Sequence, residues 1–216
     1  MEKSRRYGIV ACAIIVTLIL LDQILKIWVK THMTLGETIP LLGNWFNLCF
    51  VENPGMAFGL SFGQNIGKLM LTLVRIVLVV FLCWYMHRLI KRDKMDWPVL
   101  ITFSLIIAGA LGNILDCMFY GLIFNESTPL AVASMFPEGG GYAPFLYGRV
   151  VDMIYVKLFA IPENFPLWGG TYFFPAIFNF ADSCVTVGVA LVIIFNKRVF
   201  GEERKEEEVI EEGVKE

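Results

Sequence analysis

Four stretches of this chain stay apolar for about the length of a bilayer crossing, and most polar residues are gathered between them. A membrane helix needs roughly 20 such residues. The runs occupy about 7–29, 68–90, 97–118 and 174–195. Residues 30–67 instead mix aromatic and β-branched positions with Gly, Pro and Asn, which predicts short strands and turns. Residues 119–173 are also rich in Gly and Pro. Within them "PEGGGYAP" (137–144) predicts a mobile loop, and "PENFPLWGGTYFFP" (162–175) an aromatic approach to the last run. Irregular backbone does not face lipid tails, so both segments belong at the interface or over a cavity. The pattern predicts a mainly α membrane protein: a four-transmembrane-helix bundle with a small β-rich cradle and an extended outer loop. It forms one membrane-embedded domain over 1–200, followed by a tail at 201–216. No internal repeat is present.

Composition supports this reading. Of 216 residues, 56% are hydrophobic, and the mean hydropathy is +0.64, more apolar surface than a soluble domain of this length can bury. The net charge of −2 matters less than its segregation. Lys3, Arg5 and Arg6 precede the first run; Arg88, Lys91, Arg92 and Lys94 join the second to the third; Lys197 and Arg198 follow the fourth. Four spans put all three clusters on one side, so both termini are expected in the cytoplasm and 30–67 and 119–173 outside. The tail, "GEERKEEEVIEEGVKE", reads as a solvated acidic cytoplasmic extension. Few apolar residues precede Cys12, too few for a signal-peptide core, so the first run is expected to be an uncleaved span. The five cysteines lack C-x-x-C spacing, which indicates neither a disulfide framework nor a zinc site.

Polar residues inside the spans carry the chemistry, because each costs about 2.5–3.5 kcal/mol to insert. Asp22 and Lys26 lie four apart on one face of the first helix. They form either an internal ion pair that orients the outer segment or a direct substrate contact. Arg75 stands alone in the second span, where it either snorkels outward or pairs with an acid from another helix. In the third, Gly109, Gly112, Asn113 and Asp116 share one narrow face, and the glycines admit a neighbouring helix closely. Asp152 sits among Val150, Val151, Met153 and Ile154 in a strand-like or re-entrant stretch. Asn179 and Asp182 are predicted one turn apart on the outer end of the fourth helix.

A connection of roughly 20 residues lets Asp152 and Asp182 meet at the outer surface. Two carboxylates in a partly dry site share one proton and so supply a general base together with a general acid. That pair suits hydrolysis of a peptide bond without a metal or a covalent intermediate. His32 and His87 are expected on opposite sides of the membrane, which argues against a serine–histidine triad or a histidine metal site. A proton-coupled carrier and a non-catalytic scaffold are the rival classes. Carriers commonly show repeats and acids near the midplane, whereas these acids cluster at one face.

The motifs "LDQILK" (21–26), "ENPGMAFG" (52–59), "GALGNILD" (109–116), "GRVVDM" (148–153) and "FNFADSCVTVG" (178–188) occur in this order. Together they closely resemble lipoprotein signal peptidase, also called signal peptidase II. The resemblance implies an intramembrane aspartyl peptidase of the bacterial inner membrane with its active site near the periplasmic face. Such an enzyme cuts prolipoproteins before a cysteine already carrying diacylglycerol. By the family's motifs Asp152 and Asp182 are the catalytic dyad. Asn53, Asn113 and Asn179 are polar residues around it, Gly55 belongs to the periplasmic β-rich cradle, and Asp22 and Lys26 organise the site together with Asp116. Globomycin-type inhibitors are implied to bind across the dyad. Expected partners are prolipoprotein substrates and membrane lipids, with no cofactor, no metal and no nucleic acid, and the protein is expected to act as a monomer.

Two departures from the family pattern stand out. The family usually carries an arginine directly after the "GN..D" acid, where this chain has Cys117. The family also usually runs from that motif to "VVD" within about ten residues, whereas roughly 27 extra residues, about 122–148, intervene in this chain. Arg149 is the candidate to supply the missing positive charge. The insertion either covers the mouth of the site or is a plain surface elaboration.

Overall fold

A computed structural model of the chain describes residues 2–54, 64–165, 169–173 and 176–199. Gly55 and most of its motif, the tail at 201–216, and residues 166–168 and 174–175 of the aromatic approach lie outside the described residues. Helix α1 spans Glu2–His32 and α2 spans Gln64–Lys91. Helix α3 (Trp97–Leu115) opens on the Asp96 side chain, which accepts from the Val99 N–H at 3.0 Å, with Pro98 in the first turn where no intrahelical donor is lost. It continues through a π-helical turn, Asp116–Tyr120, into the short α4, Gly121–Ile123. The third span is therefore longer than the sequence pattern predicts.

Among the described residues, three helices are long and apolar enough to cross a membrane. Among them α3 is central: 72% of its most apolar window is buried, against 11% for α1 and 17% for α2. The outer helices leave Ile9, Val16 and Ile24 on α1 and Val74, Val77 and Val80 on α2 exposed, a surface built for lipid.

The fourth apolar run differs from expectation. Its helix, α5, covers Phe180–Ile194, and a further helical turn follows at 196–199, so that together they reach about 30 Å, the thickness of a hydrocarbon core. Ile177–Phe178 form strand β4 instead. The change occurs at Asn179, which is extended (φ −122°, ψ 178°) and caps α5. Asn179 and Asp182 are thus not two positions on one helical face. They are the cap residue and the third residue of the first turn.

The segments between the helices, with the start of the fourth run, build a four-stranded antiparallel sheet in the order β1 (Thr38–Leu42), β2 (Phe46–Asn53), β3 (Val150–Val156), β4. Asp152 lies opposite Val51 across the β2–β3 pair. Side chains alternate along a strand, so Val151 and Met153 enter one apolar cluster with Val29, Phe50, Tyr120 and Phe124. Asp152 then points to the opposite face. The inserted stretch is tied back to α4 and its end: the N–H groups of Tyr142 and Ala143 donate to the carbonyls of Phe124 and Gly121 at 3.0 and 2.9 Å. A Cβ on Gly141 would collide with the Gly121 carbonyl. The second half of the stretch predicted as a mobile loop is therefore packed backbone.

Candidate active site

The glycine face of α3 is where the helices meet. A Cβ on Gly109 would overlap the Ala181 carbonyl and the Val185 side chain of α5, and one on Gly112 would come within 2.6 Å of Asp22 Oδ2 on α1. Only glycine admits both neighbours this closely. Into that seam Lys26 projects an ammonium that is fully buried. It contacts Asp22 Oδ2 and Asp116 Oδ2, each at 2.8 Å, and donates to Asn113 Oδ1 at 2.8 Å. All three donors of the ammonium are used, which is what makes a buried charge tolerable. The partners carry the link further. Asp22 Oδ1 accepts from the Ala181 N–H in the first turn of α5 at 3.0 Å, where a helix favours negative charge. Asp116 Oδ2 accepts from the Val151 N–H on β3 at 3.3 Å. One buried cation thus joins α1, α3, α5 and β3.

Asn113 and Asn179 connect this cluster to Asp182 and Asp152. Asn113 Nδ2 donates to Asp182 Oδ1 at 2.8 Å. Asn179 Nδ2 donates to Asn113 Oδ1 at 3.1 Å and to Asp152 Oδ1 at 2.7 Å. The Asn179 Oδ1 accepts from the Asp182 N–H at 2.8 Å, and Asp182 returns a capping-box contact to the Asn179 N–H at 3.4 Å. Asn53 also hydrogen-bonds Asp152. Asp152 is buried while Asp182 is half-buried. Burial and then the nearby Asp182 carboxylate raise the Asp152 carboxyl from the ordinary range to about 7. Asp22, Lys26, Asn53, Asn113, Asp116, Asp152, Asn179 and Asp182 therefore form one connected group. Among the described residues no cluster of three or more His, Cys, Asp and Glu side chains has the arrangement to hold a metal ion.

Arg149 stands in a second network. Its Nη1 contacts Glu52 Oε2 at 3.1 Å and its Nη2 contacts Glu126 Oε1 at 2.9 Å. Glu52 is also paired with the buried Lys30, whose ammonium donates to Ser127 Oγ at 2.7 Å. Glu126 and Ser127 come from the insertion, so that segment helps to hold the β2–β3 end of the sheet. At position 117 the Cys thiol hydrogen-bonds Thr72 and lies near Arg75 and Lys68 of α2. Two α2 cations thus stand by the place where the family carries an arginine. The buried Arg75 Nη1 has no hydrogen-bond partner among the described residues.

Several residues of these networks were not singled out from the sequence. Gln23 donates to Asp116 Oδ1 at 2.9 Å and to the Gly112 carbonyl at 3.2 Å, and accepts from the Tyr120 hydroxyl at 3.1 Å. It sits inside the "LDQILK" motif, beside the Asp22 and Lys26 already noted. Lys30, one turn beyond Lys26, was legible as a third polar position on the α1 face. Tyr120 and Ser127 carry no such signal.

The fold is that of a multi-pass membrane protein whose polar centre lies between its central helix and a small sheet. The sequence model of the family described as Signal peptidase (SPase) II matches residues 14–197. A lipoprotein signal peptidase of Porphyromonas gingivalis is 46% identical over 191 residues, covering 87% of this chain and 82% of that protein. One of Amoebophilus asiaticus is 38% identical over 194 residues, covering 87% and 75%. A solved bacterial membrane enzyme, determined by the in meso method at 1.9 Å, superposes with a TM-score of 0.56 at 26% identity, covering 86% of this chain and 90% of that one. The chain belongs to the signal peptidase II family, whose members are aspartic peptidases.

Proposed function

We propose that this protein is an intramembrane aspartyl endopeptidase that removes the signal peptide from prolipoproteins by hydrolysing the bond before the diacylglyceryl-modified cysteine, with Asp152 and Asp182 as its dyad. Family membership supports lipoprotein signal-peptide processing. The observation that carries the dyad is the Asn179 side chain, which donates to Asp152 at 2.7 Å while accepting from the backbone of Asp182 at 2.8 Å. The two acids are thereby held about a single amide.

Their surroundings support different roles. Asp182 accepts from the Asn113 amide and sits in the first turn of α5. Asp152 is buried, with its pKa pushed up to about 7, so it holds the proton. Asp182 then removes a proton from water as the water oxygen attacks the scissile carbonyl carbon, and Asp152 protonates the carbonyl oxygen. When the gem-diol collapses, Asp182 passes its proton to the leaving nitrogen and Asp152 recovers one from a diol hydroxyl. Both acids end as they began.

The enzyme works as a monomer in the bacterial inner membrane, with both termini cytoplasmic and the dyad near the periplasmic face. This orientation rests on the basic clusters at the opposite end of the helices. Membrane lipids surround it, and globomycin-type inhibitors bind across the dyad. A gel-shift assay with purified protein and diacylglyceryl-modified prolipoprotein tests the reading. Asp152→Asn and Asp182→Asn each abolish cleavage while unfolding remains cooperative in detergent. Substantial turnover by either variant sinks the dyad assignment.

A further inference from the structure

At the end of the bundle opposite the aspartates lies a cleft of about 220 Å³ that the peptidase site does not use. Among the described residues, Arg88, Arg92, Lys94, Lys197 and Arg198 line it together with one acid, Asp96, five positive charges against one negative. Asp93, in the same turn, is engaged by Lys3 at 3.1 Å. The bases converge from the end of α2, the turn before α3 and the residues after α5. Two cross-links hold these parts together: the Tyr85 hydroxyl donates to the Val199 carbonyl at 3.1 Å, and Arg198 pairs with Asp96 at 3.1 Å. These ties set the five bases around one cleft at this end of the bundle.

Its depth relative to a membrane is marked by aromatic rings. Exposed Trp84 carries the Arg88 guanidinium at 5.5 Å, and exposed Trp97 carries that of Arg6 at 5.5 Å. Tryptophans with this mixed environment sit at headgroup level. Arg88 is twenty residues along α2 from Lys68, roughly 30 Å of helix, so the cleft is remote from the dyad. Guanidinium groups match phosphate oxygens in charge and geometry, and basic clefts between membrane helices suit anionic headgroups.

We infer that this cleft is a binding site for the phosphate headgroup of an anionic membrane phospholipid. The test titrates purified full-length protein in neutral detergent with phosphatidylglycerol, phosphatidylcholine or inorganic phosphate and reads the thermal unfolding midpoint. Phosphatidylglycerol raises the midpoint saturably, and the other two leave it unchanged. Arg92→Gln/Lys197→Gln needs about tenfold more phosphatidylglycerol for half the shift. Arg5→Gln/Lys91→Gln, which removes the same charge from the same end outside the cleft lining, keeps the wild-type dose. An equal loss in that second variant, or an equal response to phosphatidylcholine, overturns the site. A response to inorganic phosphate that matches the lipid overturns the lipid as its source. The acidic tail is the other candidate occupant: a phosphatidylglycerol response found only in Glu206→Gln/Glu207→Gln/Glu208→Gln assigns the cleft to the tail and overturns the proposal.

Discussion

The side-chain amide of Asn179 donates to Asp152 at 2.7 Å from the cap position of α5. A single residue thus starts the helix that carries Asp182 and orients the strand that carries Asp152. Its two tasks are separable. Serine caps a helix about as well as asparagine but has no amide to reach Asp152. Asn179→Ser is expected to keep the unfolding midpoint near wild type and to lower cleavage at least tenfold, whereas Asn179→Ala also loses about 1 kcal/mol of stability. Thermal unfolding alongside the gel-shift assay separates the two effects. Equal activity in Asn179→Ser and wild type removes the bridging role.

Lys26 neutralises two buried acids at once. Removing one partner of a buried charge cluster leaves the others uncompensated, at a cost of about 3–5 kcal/mol. Lys26→Met is expected to lower the unfolding midpoint strongly. Adding Asp116→Asn to it recovers part of that loss, because one stranded charge disappears. A double variant less stable than Lys26→Met contradicts this account.

The close approach of α1 to α3 requires a hydrogen at position 112. Gly112→Ala places a methyl 2.6 Å from Asp22 Oδ2 and 3.2 Å from Ala181 Cβ, so the helices separate or the Asp22–Lys26 contact breaks. Stability and activity both fall. Gly8→Ala on α1, with nothing within 4 Å, leaves both unchanged and serves as the control.

The raised pKa of Asp152 has a defined sign. Its carboxyl titrates near 7 when folded, against about 3.9 in an unfolded chain. Between these values the folded state binds the extra proton, so stability from this group is full below about pH 4 and declines as pH rises toward 7. Asp152→Asn is expected to flatten that part of the stability–pH curve. Cleavage falls on the alkaline side near pH 7, as the acid of the dyad loses its proton. A rate that keeps rising well beyond pH 7 contradicts the assignment of the proton to Asp152.

Arg149 precedes β3 and holds Glu52 of β2 together with Glu126 of the insertion. Lys157, beyond the other end of β3, has its ammonium over the Tyr155 and Tyr172 rings at 5.0 and 5.6 Å. Arg149→Ala is therefore expected to impair cleavage about tenfold or more, and Lys157→Ala to have little effect. Equal rates in the gel-shift assay dismiss Arg149 as a positioning residue.

Much of this architecture is written in local pattern. Apolar runs of bilayer length mark α1, α2 and α3 because lipid accepts nothing else for so many residues, and Gly, Pro and β-branched residues mark the sheet because they disfavour a continuous helix. The expensive acids and asparagines also declare themselves, since polar groups persist in such runs only where something holds them. Other features depend on contacts between residues distant in sequence. The last helix begins at Asn179 rather than before it because Ile177 and Phe178 pair with β3, a partnership no apolar count contains. Asp116 meets Lys26, and Arg149 meets Glu52, across 90 and 97 positions of chain. The basic cleft exists only because the ends of α2 and α5 converge on the turn before α3. Sequence by itself determined which residues are costly and which face of a helix or strand they share. The tertiary structure decided which charges offset one another, because neutralisation depends on distances of a few ångströms that only the packed helices and sheet establish.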